Sequence, residues 1–154
     1  MARGYLYEIV KDPEHLFCMD ANEAALRYAE NEFEWSEDLD PDEPRKDLLE
    51  VLEHFGAKIS IDEEGRKQFQ ISDRVKRKYF HDRFYKMKQM VEKMTLETFS
   101  SDGISDLQEI LEESYGNAVY LGNYEYDNFL YFDRFIREAE TDVWYYIGSI
   151  ILMH

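Results

Sequence analysis

Residues Val143 to Leu152 form an almost unbroken apolar run, Val-Trp-Tyr-Tyr-Ile-Gly-Ser-Ile-Ile-Leu. Its composition is β-branched and aromatic, and it is too short for a typical helix of that hydrophobicity. A strand of this kind needs cover on both faces, which predicts a central position in a sheet. Near the other end, Tyr5, Tyr7 and Ile9 alternate with Leu6, Glu8 and Val10. That is the period of a strand with one face richer in aromatics. The two strands are natural neighbours, which would bring the termini together. Gly148 marks a bulge or a site of close packing.

Between them the punctuation is clear. Asp20-Ala-Asn-Glu23 is a capping-box pattern and opens a helix presenting Ala24, Ala25, Tyr28, Ala29 and Phe33. Glu34 to Pro44 is acidic and interrupted by prolines, and reads as a loop. Pro44 suits the first turn of the next helix. That helix turns Leu48, Leu49, Leu52 and Phe55 inward and Asp47, Glu50 and Glu53 outward, and Gly56 ends it. Lys58–Ile61 and Gln68–Ile71 alternate around Asp62-Glu-Glu-Gly65, a β-hairpin whose glycine supplies positive φ.

Ser72 caps a long helix expected from Asp73 to near Thr98. Its stripe of Phe80, Phe84, Met87, Val91 and Met94 is expected to pack on the chain's own sheet rather than on a partner helix. Ser105-Asp-Leu-Gln108 reads as a second capping box, starting a helix that stops at Gly116. Asn117 to Tyr126 reads as a short strand and turn. Asp127 reads as the cap of a buried helix through Phe129, Leu130, Phe132, Phe135 and Ile136. The expected fold is a single α+β domain over residues 1–154. A small, mainly antiparallel sheet of the N- and C-terminal strands and a central hairpin packs with about five helices, one long and basic. The terminal strands are expected either in the hairpin's sheet or in a sheet of their own.

The chain has 154 residues, an ordinary domain length, and a domain of this size buries roughly 68–70% of its unfolded surface. Charged residues reach 34%, but 12 Tyr, 10 Phe and 2 Trp supply a large core and argue against disorder. The single cysteine, Cys18, excludes an internal disulfide and a Cys-based zinc site. It fits a reducing, cytoplasmic setting. The N-terminal residues do not resemble a signal peptide. The Val143–Met153 run is about half the ~20 residues a membrane helix needs.

Charge is sorted along the chain. Met1–Gly65 has 6 Lys/Arg against 19 Asp/Glu, a net of -13. Arg66–Thr95 has 10 against 3, a net of +7, and Leu96–His154 has 2 against 12, a net of -10. The overall -16 disfavours nonspecific binding to nucleic acid or anionic membrane and suits a partner with a basic surface. The basic block Arg74, Arg77, Lys78, Arg83 and Lys88 is expected chiefly to pair with the flanking acids in salt bridges.

Catalytic and cofactor chemistries find little purchase. Asp38, Asp40 and Asp42 alternate like the first calcium-loop ligands, but the sixth position holds Glu43 instead of Gly and the twelfth holds Leu49 instead of Glu. His15, His54, His81 and His154 are dispersed, and no two share the spacing of a zinc helix. Cys18 lies in Leu-Phe-Cys-Met, an apolar context that keeps a thiol inert. The sequence contains neither Gly-x-Ser-x-Gly nor a glycine-rich phosphate loop. No catalytic residue, metal or cofactor is expected.

Leu48-Leu-Glu-Val-Leu-Glu-His-Phe-Gly56, followed by the hairpin from Ile59 to Ile71, resembles the recognition helix and wing of winged-helix regulators. The resemblance covers about a fifth of the chain. It implies a nucleic-acid binder, yet the face offered to a major groove carries Glu43, Asp47, Glu50 and Glu53, which phosphates repel. Under that resemblance the basic helix would touch phosphate, and Tyr79 and Tyr85 would stack on bases.

The opposite expectation is imitation of nucleic acid. Duplex DNA carries one phosphate charge per ~1.7 Å of axis, so a mimic needs dense carboxylates on one face. Glu30, Glu32, Glu34, Glu37, Asp38, Asp40, Asp42 and Glu43 provide such density, and Asp106, Glu109, Glu112 and Glu113 add more. Small inhibitors from phage and mobile elements use this strategy. The leading expectation is therefore a noncatalytic acidic protein-interaction or regulatory protein, with mimicry as its sharpest form. A winged-helix-like regulator using the basic helix is the alternative, and an enzyme of unrecognised type the third class. A homodimer is also expected, from complementary charge blocks and surplus aromatics such as Tyr124, Tyr126, Tyr131 and Tyr145.

Overall fold

The computed structural model describes residues 4–112, 118–121 and 129–154. It is an α+β fold organised around the C-terminal strand. In chain order the elements are β1 (Gly4–Val10), α1 (Ala21–Arg27), β2 (Trp35–Glu37), α2 (Asp42–His54), β3 (Lys58–Ile61), β4 (Lys67–Gln70) and α3 (Asp73–Lys93). They continue with α4 (Leu96–Phe99), α5 (Gly103–Glu112), β5 (Ala118–Leu121), β6 (Leu130–Tyr131), α6 (Phe132–Glu138) and β7 (Trp144–Met153). A short 3-10 turn, Pro13–His15, follows β1.

The strands lie in the order β3-β4-β7-β1-β5-β6. All pairings are antiparallel except β1 with β5. The sequence reading of β7 as central holds: β1 runs along one edge, and β4 and β2 share the other. Gly4 lies opposite Met153, so the two ends of the described chain meet. The hairpin joins this same sheet through β4, which settles against the arrangement with a separate terminal sheet.

Burial on both faces follows from the side-chain alternation. One core gathers Tyr7 and Ile9 from β1, Phe69 from β4, and Tyr145 and Ile150 from β7. Leu48, Leu49 and Leu52 of α2, Val75 of α3, and Phe132, Phe135 and Ile136 of α6 close it. The other face gathers Leu6, Ile151 and Met153 under Met19, Ala24, Tyr28 and Phe129. Tyr145 and Ile150 reach the same core although their numbers differ in parity. The register between β1 and β7 shifts there, and Gly148 lies in the shift.

Several expected boundaries move. Trp35–Glu37, expected as loop, is a strand paired with Ile151–Met153. Trp35 earns its place through packing, meeting Tyr28, Phe33 and Phe129. The Asp20 capping box forms as expected, but α1 ends at Arg27 and leaves Ala25 and Ala29 exposed. Gly56 (φ +93°) and Gly65 (φ +81°) occupy the expected left-handed turns.

The long helix ends at Lys93, five residues short of Thr98. Met94 is extended, and Thr95 restarts the chain by exchanging hydrogen bonds with Thr98 in a capping box. α5 begins at Gly103, two residues before the expected Ser105 cap, and the Ser105 and Asp106 amides donate to the Asp102 carbonyl. Leu130, expected in a helix with Phe129, belongs to β6, and the helix starts at Phe132. The expected cap Asp127, the stop at Gly116 and the turn around Tyr124 and Tyr126 lie outside the described residues. Among those residues no helix is long and apolar enough to cross a membrane.

Candidate interaction surfaces

The acidic residues flank β2. Glu30 and Glu34 precede it, Glu37 ends it, and Asp38, Asp40, Asp42 and Glu43 lead into α2. Proline at 41 and 44 starts that helix without a side-chain cap, so the acids at its first turn face its positive end. All of these acids except half-buried Asp38 are exposed. Asp42 pairs with Arg45 at 2.6 Å, and Asp38 accepts from the Asp40 amide at 2.8 Å. Among the described residues the other five form no ion pair. The acids do not converge: no group of three His, Cys, Asp or Glu among the described residues could hold a metal ion.

α3 resolves where the positive charge goes, and the answer differs from the expected salt-bridge network. Lys78 donates to the His54 carbonyl at 2.8 Å, at the end of α2. Lys76 donates to the carbonyls of Arg137 and Ala139 at 3.1 and 2.6 Å, at the end of α6. Two lysines thus neutralise helix C-termini rather than carboxylates. Of the lysines and arginines on α3, only Arg83 pairs with an acid among the described residues: its partner is Asp133, at 2.5 Å. Both side chains are mostly buried (15% and 18% exposed), and Tyr79 donates to the same carboxylate at 2.7 Å. Arg74, Arg77, Lys86, Lys88 and Lys93 are exposed and form no ion pair among the described residues.

Phe80 explains why α3 changes character along its length. Val75 is buried, and Tyr79 and Phe80 pack against the main core. The guanidinium groups of Arg83 and Arg137 sit over the Phe80 ring, 5.0 and 4.1 Å from its centre. Beyond this point no apolar residue of α3 is buried. Phe84 and Val91, expected to pack on the sheet, are 50% and 53% exposed. The second half of the helix meets α5 instead.

The face that a winged-helix unit would use is built differently here. α2 is preceded by the strand β2, with no helix leading into it, and its apolar side packs on the sheet. Asp47, Glu50 and Glu53 remain exposed.

One buried polar group was not anticipated from the sequence. Glu8 points away from the aromatic face of β1 and is wholly buried. One oxygen accepts from the Phe17 amide at 2.5 Å, the other from the amides of Cys18 and Ser149 at 3.2 and 3.0 Å. The Ser149 hydroxyl adds a fourth bond at 3.3 Å. A carboxylate offers acceptors only, which suits a site ringed by donors. Cys18 takes a left-handed conformation (φ 55°) that turns its amide inward. A Cβ at Gly148 would collide with the Glu8 carboxylate and with Leu16. Glu8 thus joins the segment after β1 to the register shift in β7. This is a structural role. Its one sequence signal is a charge in the middle of an apolar strand.

Burial raises the Tyr28 and Tyr145 hydroxyls above the usual tyrosine range, against the lowering influence of Arg27 on the first and of the Glu140 amide on the second. No family model, curated protein or solved structure matches the chain.

Proposed function

We propose that the protein is a noncatalytic interaction protein whose acidic surface around β2 binds a basic surface on another protein, in competition with nucleic acid. The observation that carries this reading is the lack of internal partners for the acids. Glu30, Glu34, Glu37, Asp40 and Glu43 are exposed and unpaired among the described residues, while exposed cations lie on α3. Unneutralised like charge opposes folding, so such a cluster is best explained by an external partner. The test is competition. The chain should displace duplex DNA from purified, sequence-nonspecific duplex-binding proteins in a gel-shift assay, and a variant with Glu34, Glu37, Asp40 and Glu43 changed to amides should not. Displacement by neither protein, or equally by both, rejects the reading.

A second reading, direct nucleic-acid binding through α3, draws on Arg74, Arg77 and Lys88. They are exposed on the same helix as the exposed Tyr85 and lack acidic partners among the described residues. A gel-shift titration of the chain alone at low salt tests it, and an unshifted probe removes it.

A further inference from the structure

Past Phe80, α3 and α5 form a helical hairpin that stands off the sheet. No apolar residue from His81 to Leu111 is buried, although the segment contains Phe84, Met87, Met90, Val91, Met94, Leu107 and Ile110. An isolated pair of helices buries too little apolar surface to hold a fixed shape, and amphipathic helices normally spend their stripe on a partner. An open groove of about 660 Å³ runs between α3 and the turn into α5. Its apolar lining comes from Met90, Met94 and Ile110. Lys86 and Lys93 line it on the α3 side, and Asp102 and Asp106 on the α5 side. None of these four forms an ion pair among the described residues.

We infer that the hairpin is a self-association surface, and that a second copy of this chain covers the groove to form a four-helix unit. The charge pattern selects this occupant. A two-fold axis running along the hairpin, in the plane between the two layers, lays each α3 over the partner's α5. Each Lys86/Lys93 rim then meets an Asp102/Asp106 rim, and both grooves close with the same contacts made twice. The methionines suit such a seam, being flexible enough to fill it. Four-helix packing of this sort is a common solution for helices that cannot bury their stripe alone. This surface is separate from the acids around β2, so the two proposals stand or fall independently.

The test is sedimentation equilibrium of the full chain. The parent protein is expected at twice the 18.6 kDa of one chain, with dimer favoured at low salt and weakened as salt rises. Lys86→Glu/Lys93→Glu and Asp102→Lys/Asp106→Lys are each expected to raise the dissociation constant at least about tenfold, because like charges then face each other. Mixing the two variants restores complementarity along both seams and should regain the dimer. Circular dichroism checks that each variant keeps its helices. A parent protein that stays monomeric at ~100 μM, where even a weak specific dimer is populated, overturns the proposal whatever the variants do. So does a dimer that both variants retain, or a mixture of folded variants that stays monomeric.

Discussion

Replacing Glu8 by Gln keeps the shape of the side chain and changes its chemistry. The amide oxygen can keep the Cys18 and Ser149 donors, but the NH2 group then faces the Phe17 amide, donor against donor. One bond to a charged group is lost, worth about 1.5–3 kcal/mol, and the remaining bonds lose their charge assistance. The expected cost is about 3–4 kcal/mol, a large share of the 5–15 kcal/mol that holds a typical domain. In a chain of this length that corresponds to a melting temperature lower by roughly 8–15 °C. Urea titration should show the midpoint fall with the slope unchanged.

The neighbouring glycine supplies the control. Gly148→Ala places a methyl group against the Glu8 carboxylate and Leu16, an overpacking cost of about 1–3 kcal/mol. Combined with Glu8→Ala, which removes the nearer of the two obstacles and leaves Leu16, Gly148→Ala should cost less than it does alone, giving a coupling of about 1 kcal/mol or more. A Glu8→Gln protein within about 0.5 kcal/mol of the parent, or additive behaviour of the pair, refutes the reasoning.

Asp133→Asn leaves the Arg83 guanidinium without its carboxylate in a mostly buried place, and should lower stability by about 2–3 kcal/mol by chemical denaturation, less than a fully buried pair because some solvent reaches it. Tyr79→Phe removes one hydrogen bond to the same carboxylate and should cost about 1 kcal/mol. Phe69→Ala opens the main core between Phe135 and Tyr145 and should cost about 3–5 kcal/mol. The buried tyrosines Tyr28 and Tyr145 have raised values, so the folded state favours their neutral form. Their contribution is complete below the unfolded value near pH 10 and is lost as pH rises through the folded values. Thermal melts across that range should show stability falling there, and less steeply in Tyr28→Phe.

Local signals carried much of the fold. The hairpin, α2 and the start of α3 are specified by residues close together: Gly65 at the turn, Pro44 and Gly56 around one helix, Ser72 capping the other. The terminal strands were legible because each carries a strong pattern. What escaped depends on contacts far apart in sequence. Three residues of an acidic stretch become β2 only because the end of β7 offers them an edge and Trp35 finds an aromatic pocket. The α3 stripe gives a helix its apolar face without saying how far the sheet beneath extends, so packing was expected where the helix has already left the body. The charges on α3 were legible as a block. Their use on the carbonyl ends of α2 and α6 was not, since it requires knowing which helices end beside them.

The most direct test of the central claim is the salt dependence of binding to a basic duplex-binding protein, measured by calorimetry for the parent chain and for the variant with Glu34, Glu37, Asp40 and Glu43 changed to amides. Contacts between exposed charges weaken steeply as salt rises. The parent should bind tightly at low salt and more weakly as salt rises, and the variant should give a weak, nearly salt-independent signal. Equal affinities and equal salt slopes for the two proteins would contradict it.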